Sequence, residues 1–298
     1  MPGPDFIPAA VRARLKDLRL AGRRAVGGHG FGQHPSRSRG AGLEFAQYRA
    51  YEPGDELRQI DWKLYARSDR FFVREAERDS PLTAWVVIDA SASMGQGDAA
   101  RPGWTRLDAA RALAACVFEL ALRQGDDFGL AIIGGDGLRL VPAGTGARQR
   151  DRCLLELQAA KAGGTWPDAP RLRPLWERTL AGQLVIVLSD DFDEQVVALS
   201  ERLAAARREV LNLQLLTAEE RDFPFRGGHR FRDPETGEEV LSDGAAARDD
   251  FLARFAAARD ALGARLAAAG VRRVEHFLDQ PLDQPLRRLF APLASERT

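Results

Sequence analysis

Asp89, Ser91 and Ser93 alternate along Asp89-Ala90-Ser91-Ala92-Ser93, directly after the apolar run Trp85-Val86-Val87-Ile88. An extended loop turns alternate side chains the same way, so this spacing can gather one carboxylate and two hydroxyls at one point. Two further groups stand at comparable places. Asp190 follows the apolar run Leu184-Val185-Ile186-Val187-Leu188 and Ser189, and Thr165 closes Gly163-Gly164-Thr165 in a loop between two helical stretches. All these donors are hard oxygens. Carboxylate, hydroxyl and water make the shell that Mg²⁺ accepts with octahedral geometry. A site with two carboxylates binds weakly and leaves a position that the Asp or Glu of a protein partner can fill. Asp89, Ser91, Ser93, Thr165 and Asp190 are therefore the candidate ligands of Mg²⁺ or another divalent cation. By itself D-x-S-x-S also describes ordinary turns and helix caps, and Gly-Gly-Thr a turn before a helix. The strand ends single this run out.

The elements that must position these groups follow from periodicity. Trp85 to Ile88 and Leu184 to Leu188 are unbroken apolar runs, as in strands buried on both faces of a parallel sheet. Between and after them the chain alternates. Leu107, Ala110, Ala114, Val117, Phe118 and Ala121 recur at helical spacing. Strands are expected at 128–133 and 138–141, helices near 147–160 and 168–181, a helix over 194–208 and a strand over 210–216. A long Ala-rich helix at 245–269 ends at Gly270, followed by a strand at 271–278 and a helix at 283–292. This alternation predicts an α/β fold with a doubly wound, mostly parallel sheet. In such sheets ligands bind at the C-terminal strand ends, which brings Asp89 and Asp190 to one edge if their strands are neighbours.

Three segments depart from the alternation. Residues 1–35 read as a short helix over 8–21 and a Gly-rich arm through Gly27, Gly28, Gly30 and Gly32. Residues 36–80 form an extension dense in Arg, Asp, Glu and aromatics, with Phe71-Phe72-Val73-Arg74-Glu75 as one of a few short strands. Within the α/β region, 81–298, residues 223–243 read as an inserted β-hairpin: His229-Arg230-Phe231-Arg232, a turn at Asp233-Pro234-Glu235-Thr236-Gly237, then Glu238 to Leu241.

Composition excludes several classes. Of 298 residues 45% are hydrophobic and 29% charged, with Lys+Arg and Asp+Glu at 43 each, so no global charge favours nucleic acid or an anionic membrane. The arginines crowded between Arg12 and Arg39 have only Phe31 among them as a ring for base stacking, and a solvated surface is the expectation for them. Cys116 and Cys153 lack metal or disulfide spacing and fall in helical stretches, where they read as small buried hydrophobes. No signal-peptide core or membrane-length apolar run is present, and the cytoplasm is the expected location. His29, His34, His229 and His276 are the four histidines, and none sits in a catalytic motif.

Ile88-Asp89-Ala90-Ser91-Ala92-Ser93-Met94 resembles the first motif of the metal-ion-dependent adhesion site of von Willebrand factor A domains, with Gly164-Thr165 and Ser189-Asp190 in the places of the second and third loops. Asp191 stands where those domains usually carry Gly, and it competes with Asp190 as the ligand. The upstream runs Ser38 to Phe45, Arg49-Ala50-Tyr51-Glu52-Pro53-Gly54-Asp55, Arg58-Gln59-Ile60-Asp61-Trp62 and Ala66-Arg67 resemble the signature of the bacterial domain-of-unknown-function family 58, DUF58. Phe223-Pro224-Phe225 and Phe231 to Gly237 extend that likeness. The resemblance implies a von Willebrand factor A-like sheet, no established catalysis, and an association with AAA+ ATPases of the MoxR type. Arg49, Asp55, Arg58, Asp61 and Arg67 read as an ion-pair network docking the extension, with a functional surface as the rival.

Two function classes remain. One is a metal-dependent protein-binding module, an adaptor for a MoxR-type ATPase chaperone system. The other is a Mg²⁺-dependent hydrolase with Asp89 as nucleophile. The hydrolase reading is weakened by Ser91, which stands where such enzymes carry a second Asp. Neither a P-loop nor a G-x-G-x-x-G run supports nucleotide binding.

Overall fold

The computed structural model describes residues 6–21, 45–51, 60–76, 82–135 and 137–290, with backbone alone at 45–49 and 74–76. These residues form two compact units, 45–51 with 60–76, and 6–21 with 82–135 and 137–290.

The first helix, α1, spans Ala9–Arg14 and belongs to the larger unit. It is shorter than the expected 8–21, although Val11, Leu15, Leu18 and Leu20 all stay buried in the main core. Side chains take over the backbone beyond it. Gln124 binds Leu20 twice, at its N–H (2.7 Å) and carbonyl (3.0 Å). Arg123 donates to the carbonyls of Leu15 and Leu18 at 3.0 and 2.9 Å.

In the smaller unit, β1 (Phe45–Ala50) pairs antiparallel with β2 (Phe72–Ala76), the strand expected at 71–75. Helix α2 (Trp62–Ser68) lies between them in sequence. Asp61 caps it, accepting from the Lys63 and Leu64 amides at 2.9 and 3.0 Å. Tyr65 stacks on Phe71 with centroids 4.4 Å apart. Of the expected ion-pair network, Asp55, Arg58 and the Arg49 side chain lie outside the described residues. So do His29, His34 and the arm from Arg23 to Arg39.

The larger unit continues with β3 (Thr83–Ala90), a 3₁₀ turn at Ala92–Gly95, β4 (Gly97–Asp98) and β5 (Arg101–Thr105). Helix α3 (Arg106–Gln124), β6 (Asp127–Gly134), β7 (Gly137–Gly144) and α4 (Ala147–Ala159) follow. Next come α5 (Arg173–Arg178), β8 (Leu184–Ser189), α6 (Glu194–Ala205), β9 (Glu209–Leu216) and α7 (Ala218–Asp222). The hairpin β10 (Gly228–Arg232) and β11 (Glu239–Asp243), α8 (Gly244–Ala268), β12 (Arg272–Phe277) and α9 (Asp283–Phe290) complete the unit. The expected helix at 168–181 is broken into a 3₁₀ turn at Ala169–Leu172 and the six-residue α5. Pro170 and Pro174 each lack the N–H that a continuous helix needs.

The main sheet runs β12-β9-β8-β3-β6-β7. Every neighbouring pair is parallel except the edge pair β6–β7. This is the doubly wound order, in which the first strand leads outward on one side and the fourth returns beside it. Alternation along β3 fills both faces. Ala84, Val86 and Ile88 join the core under α3, α4 and α9, while Trp85 and Val87 join the opposite core under α5 and α6. The boundary between β3 and β8 is the topological switch point, where the crevice of such folds lies.

Candidate metal centre

The parallel register pairs Ile88 with Leu188, so Asp89 and Ser189 emerge side by side at the C-terminal end of the two central strands. Both Asp89 oxygens are engaged. Oδ1 accepts from the Ser91 amide at 2.8 Å and Oδ2 from the Ser189 hydroxyl at 2.6 Å. The chain then turns into the 3₁₀ segment, which sets the Ser91 and Ser93 hydroxyls 3.1 Å apart. Asp89, Ser91, Ser93 and Asp190 are all buried.

Asp190 turns toward this group. Its Oδ1 accepts from the Phe192 amide at 3.2 Å. Its Oδ2 lies 3.2 Å from Nη1 of Arg106, yet no N–H points at it, and this buried oxygen has no hydrogen-bond partner among the described residues. Arg106 is fully buried at the start of α3. Its Nη1 also donates to the Ser93 carbonyl at 2.9 Å and to Gln96 at 3.1 Å, and its Nη2 pairs with Glu220. Asp191 points elsewhere. In a left-handed conformation with φ of 58°, it accepts from the Asn212 side chain at 2.9 Å.

Thr165 lies on a third loop whose backbone is pinned to the site. The Ala92 amide donates to the Gly164 carbonyl at 2.8 Å, Gly163 to Ala90 at 3.0 Å, and Gly135 to Gly163 at 2.8 Å. The Thr165 side chain is exposed, and no hydrogen bond joins its hydroxyl to the other four residues. The structure thus brings together Asp89, Ser91, Ser93 and Asp190, with Thr165 close along the chain but turned out. Of the histidines, His276 is buried in β12, and His229 meets the Arg226 carbonyl at 2.9 Å in the hairpin.

Electrostatically the site is short of positive charge. Burial, reinforced by the charge of Asp190, pushes the Asp89 carboxyl up to about 7 despite its hydrogen bonds. Burial raises Asp190 too, with Arg106 pulling the other way. Asp191 is pushed up to about 7 by burial, against the Asn212 hydrogen bond. A divalent cation would relieve this cluster, and the donors suit one: two hydroxyls and two carboxylates, that of Asp190 with an orphaned oxygen. Among the described residues no three His, Cys, Asp or Glu side chains gather to hold a metal, so any cation held here would need hydroxyls and water to complete its shell.

Sequence reasoning missed Ser189 and Arg106. Ser189 sits in the quoted Ser189-Asp190 pair, and its place as the last strand residue was a usable signal. Arg106 carried none, since it is one arginine in an arginine-rich chain.

The model of the family described as "Protein of unknown function DUF58" matches residues 47–262. The chain belongs to this family. This DUF58 chain is 32% identical over 251 residues to uncharacterized proteins of Mycobacterium bovis (Mb1516) and Mycobacterium tuberculosis (Rv1480), covering 83% of its own length and 78% of theirs. Its sheet is von Willebrand factor A-like, doubly wound with one antiparallel edge strand. Similar solved structures include BatB from Bacteroides thetaiotaomicron (14% identity, TM-score 0.44, 70% of this chain and 95% of that one). The SpRpn10 VWA domain is another (14% identity, TM-score 0.40, 70% and 95%).

Proposed function

We propose that this DUF58 chain is a metal-ion-dependent protein-binding module, with Asp89, Ser91, Ser93 and Asp190 holding Mg²⁺ or another divalent cation and Thr165 contributing through its loop. The observation that carries the reading is the meeting of Asp89 and Asp190 at the β3–β8 switch point, buried and under-compensated in charge. The cation supplies an electrophilic contact for an Asp or Glu of a protein partner. A depression beside Gly163 and Gly164 is lined by Arg139, which pairs with Glu156, and by Lys161, and Lys161 adds positive charge where an acidic partner would approach. The partner that the family likeness suggests is a MoxR-type AAA+ ATPase, with the chain acting as its adaptor in the cytoplasm and catalysing no reaction itself. Among the described residues no helix is long and apolar enough to cross a membrane.

The test is capture of the MoxR-type ATPase from the same cell by purified chain in Mg²⁺, in EDTA, and with Asp89→Ala. Capture in Mg²⁺ alone is expected, with unchanged circular dichroism for the variant. Equal capture in all three overturns the metal bridge. Phosphate-ester hydrolysis that disappears with Asp89→Ala favours the hydrolase instead.

A further inference from the structure

The Phe223-Pro224-Phe225 run takes no part in the strand-end site, yet its backbone is tightly held. Phe223 ends α7, and its amide donates to the Glu219 carbonyl at 2.8 Å. It does so with a φ of 41°, a left-handed conformation that a bulky side chain rarely holds. Phe225 lies against the first residue of α8, where a Cβ on Gly244 would fall 2.7 Å from the Phe225 backbone. The Gly244 amide fixes that approach by donating to the Gly227 carbonyl at 2.8 Å.

These restraints set up a wall of phenyl rings. Phe231 of the hairpin stacks on Phe223 at 5.7 Å and meets Phe225 edge-on at 5.2 Å. Phe251 of α8 tilts against Phe223 at 4.5 Å, and Phe255 stacks on Phe251 at 5.6 Å. With Phe192 they line one open apolar cavity of about 350 Å³, within the range of cavities that take ligands. A cluster that only seated the hairpin would close on itself at the density of a protein interior. This one leaves a cavity and keeps Phe192 53% exposed at its mouth.

Two carboxylates share the lining, and they differ. Glu220 is committed, since it pairs with Arg106 and accepts from the Thr217 amide at 2.8 Å. The half-buried carboxylate of Glu219 has neither a hydrogen bond nor an ion pair among the described residues. The negative faces of the surrounding rings add to its pull on a cation. An apolar hollow with one free acid at its side is complementary to an apolar group that carries a positive neighbour.

We propose that this cavity docks a segment of a protein partner in which a large apolar side chain is flanked by Arg or Lys. The apolar side chain enters among the phenyl rings, and the cation pairs with Glu219. None of these residues is a candidate metal ligand, so the docking needs no metal. Phe192 stands two residues beyond Asp190, which places the mouth of the cavity beside the loop that follows β8.

The experiment uses the full chain in EDTA, so that a bound cation plays no part in the result. Three acetylated and amidated tripeptides are the probes: Arg-Leu-Arg, Arg-Ser-Arg and Glu-Leu-Glu. Amide chemical shifts of the isotope-labelled chain read both the place and the affinity of binding, and circular dichroism checks each variant's fold. Arg-Leu-Arg is expected to shift the amides of Glu219 to Phe231 and Phe251 to Phe255 to saturation. Arg-Ser-Arg, without the apolar side chain, should bind about tenfold more weakly, and Glu-Leu-Glu about fivefold more weakly. Glu219→Gln should bring the two Leu peptides level, and Phe192→Ala should weaken Arg-Leu-Arg about fivefold. No saturable shift in these segments, equal binding of Arg-Leu-Arg and Glu-Leu-Glu to wild type, or binding untouched by both variants would each overturn the proposal. Sedimentation without peptide tests the other occupant: a dimer that Phe192→Ala dissociates would give the cavity to a second copy of the chain and overturn it too.

Discussion

The hydroxyl of Ser189 donates to Oδ2 of Asp89 across 2.6 Å, joining the last residue of β8 to the penultimate residue of β3. The Ser189 hydroxyl oxygen in turn accepts from the Asp191 amide at 2.9 Å. One hydroxyl therefore fixes the rotamer of the first-strand carboxylate and the path of the loop that carries Asp190. With the Ser91 amide on Oδ1, Asp89 is held in one orientation, which would lower the reorganisation that the proposed cation binding requires.

Ser189→Ala tests this orientation. Removing one hydrogen bond to a buried carboxylate is expected to cost about 1–3 kcal/mol of stability. Mn²⁺ affinity is expected to fall about tenfold or more, the usual effect of losing an outer-shell partner. Urea unfolding and Mn²⁺ titration read the two quantities, and an affinity equal to wild type would show that Ser189 does not position Asp89.

Arg106 makes the second prediction. It is a fully buried guanidinium that pairs with both Asp190 and Glu220. Arg106→Met keeps the apolar stem and strands two carboxylates, so a loss of about 3–5 kcal/mol is expected. Mg²⁺ should restore part of it in the variant, because the cation takes over compensation of Asp190. Unfolding in urea with Mg²⁺ and with EDTA checks both points, and a loss below about 1 kcal/mol would contradict the network.

The parts of this molecule that were legible in sequence are those whose signal is local. The strands β3 and β8 are covered on both faces, so Ala84 to Ile88 and Leu184 to Leu188 are apolar at every position, and Asp89 and Asp190 stand out just beyond them. The hairpin could be placed from its turn residues. Residues whose role depends on distant partners were not legible. Ser189 acquires its role only when β8 lies beside β3, and Arg106 only when the start of α3 meets Glu220. The short pair β4–β5 left no periodicity, being two and five residues long. Thr165 could be assigned to a loop, but the direction of its side chain depends on Gly164, whose φ is 64°.

The loop contact gives the third prediction. A Cβ on Gly135 would fall 2.7 Å from the Gly163 carbonyl oxygen and 2.8 Å from the Gly164 Cα, both backbone atoms. Gly135→Ala must therefore push the Thr165 loop away from Ala90 and Ala92. Thr165→Val removes the hydroxyl and leaves the loop in place. Both variants are expected to weaken Mn²⁺ binding, Gly135→Ala the more, with secondary structure unchanged. Weakening by Gly135→Ala alone would assign the role to the loop backbone rather than to the Thr165 hydroxyl.

His276 makes the fourth, a pH dependence with a definite sign. It lies fully buried in β12, and neither ring nitrogen has a hydrogen-bond partner among the described residues. Burial holds it neutral and lowers it from its ordinary 6.5 to about 4, the charge of Asp279 opposing that shift and Arg101 and Arg288 adding to it. The unfolded chain takes up a proton near pH 6.5 and the folded chain only near pH 4. Between these values the unfolded state holds more protons, so stability from this group is full above pH 6.5 and is lost as pH falls toward 4. The size is about 3 kcal/mol over the whole window. Asp89 and Asp191 have raised values and contribute with the opposite sign, so the wild-type curve alone does not isolate the histidine. Comparison with His276→Leu does. Urea unfolding at pH 7.5 and 4.5 should show the wild type losing about 2–3 kcal/mol more than the variant over that fall, and parallel curves would mean that His276 protonates in the folded chain as readily as in the unfolded one.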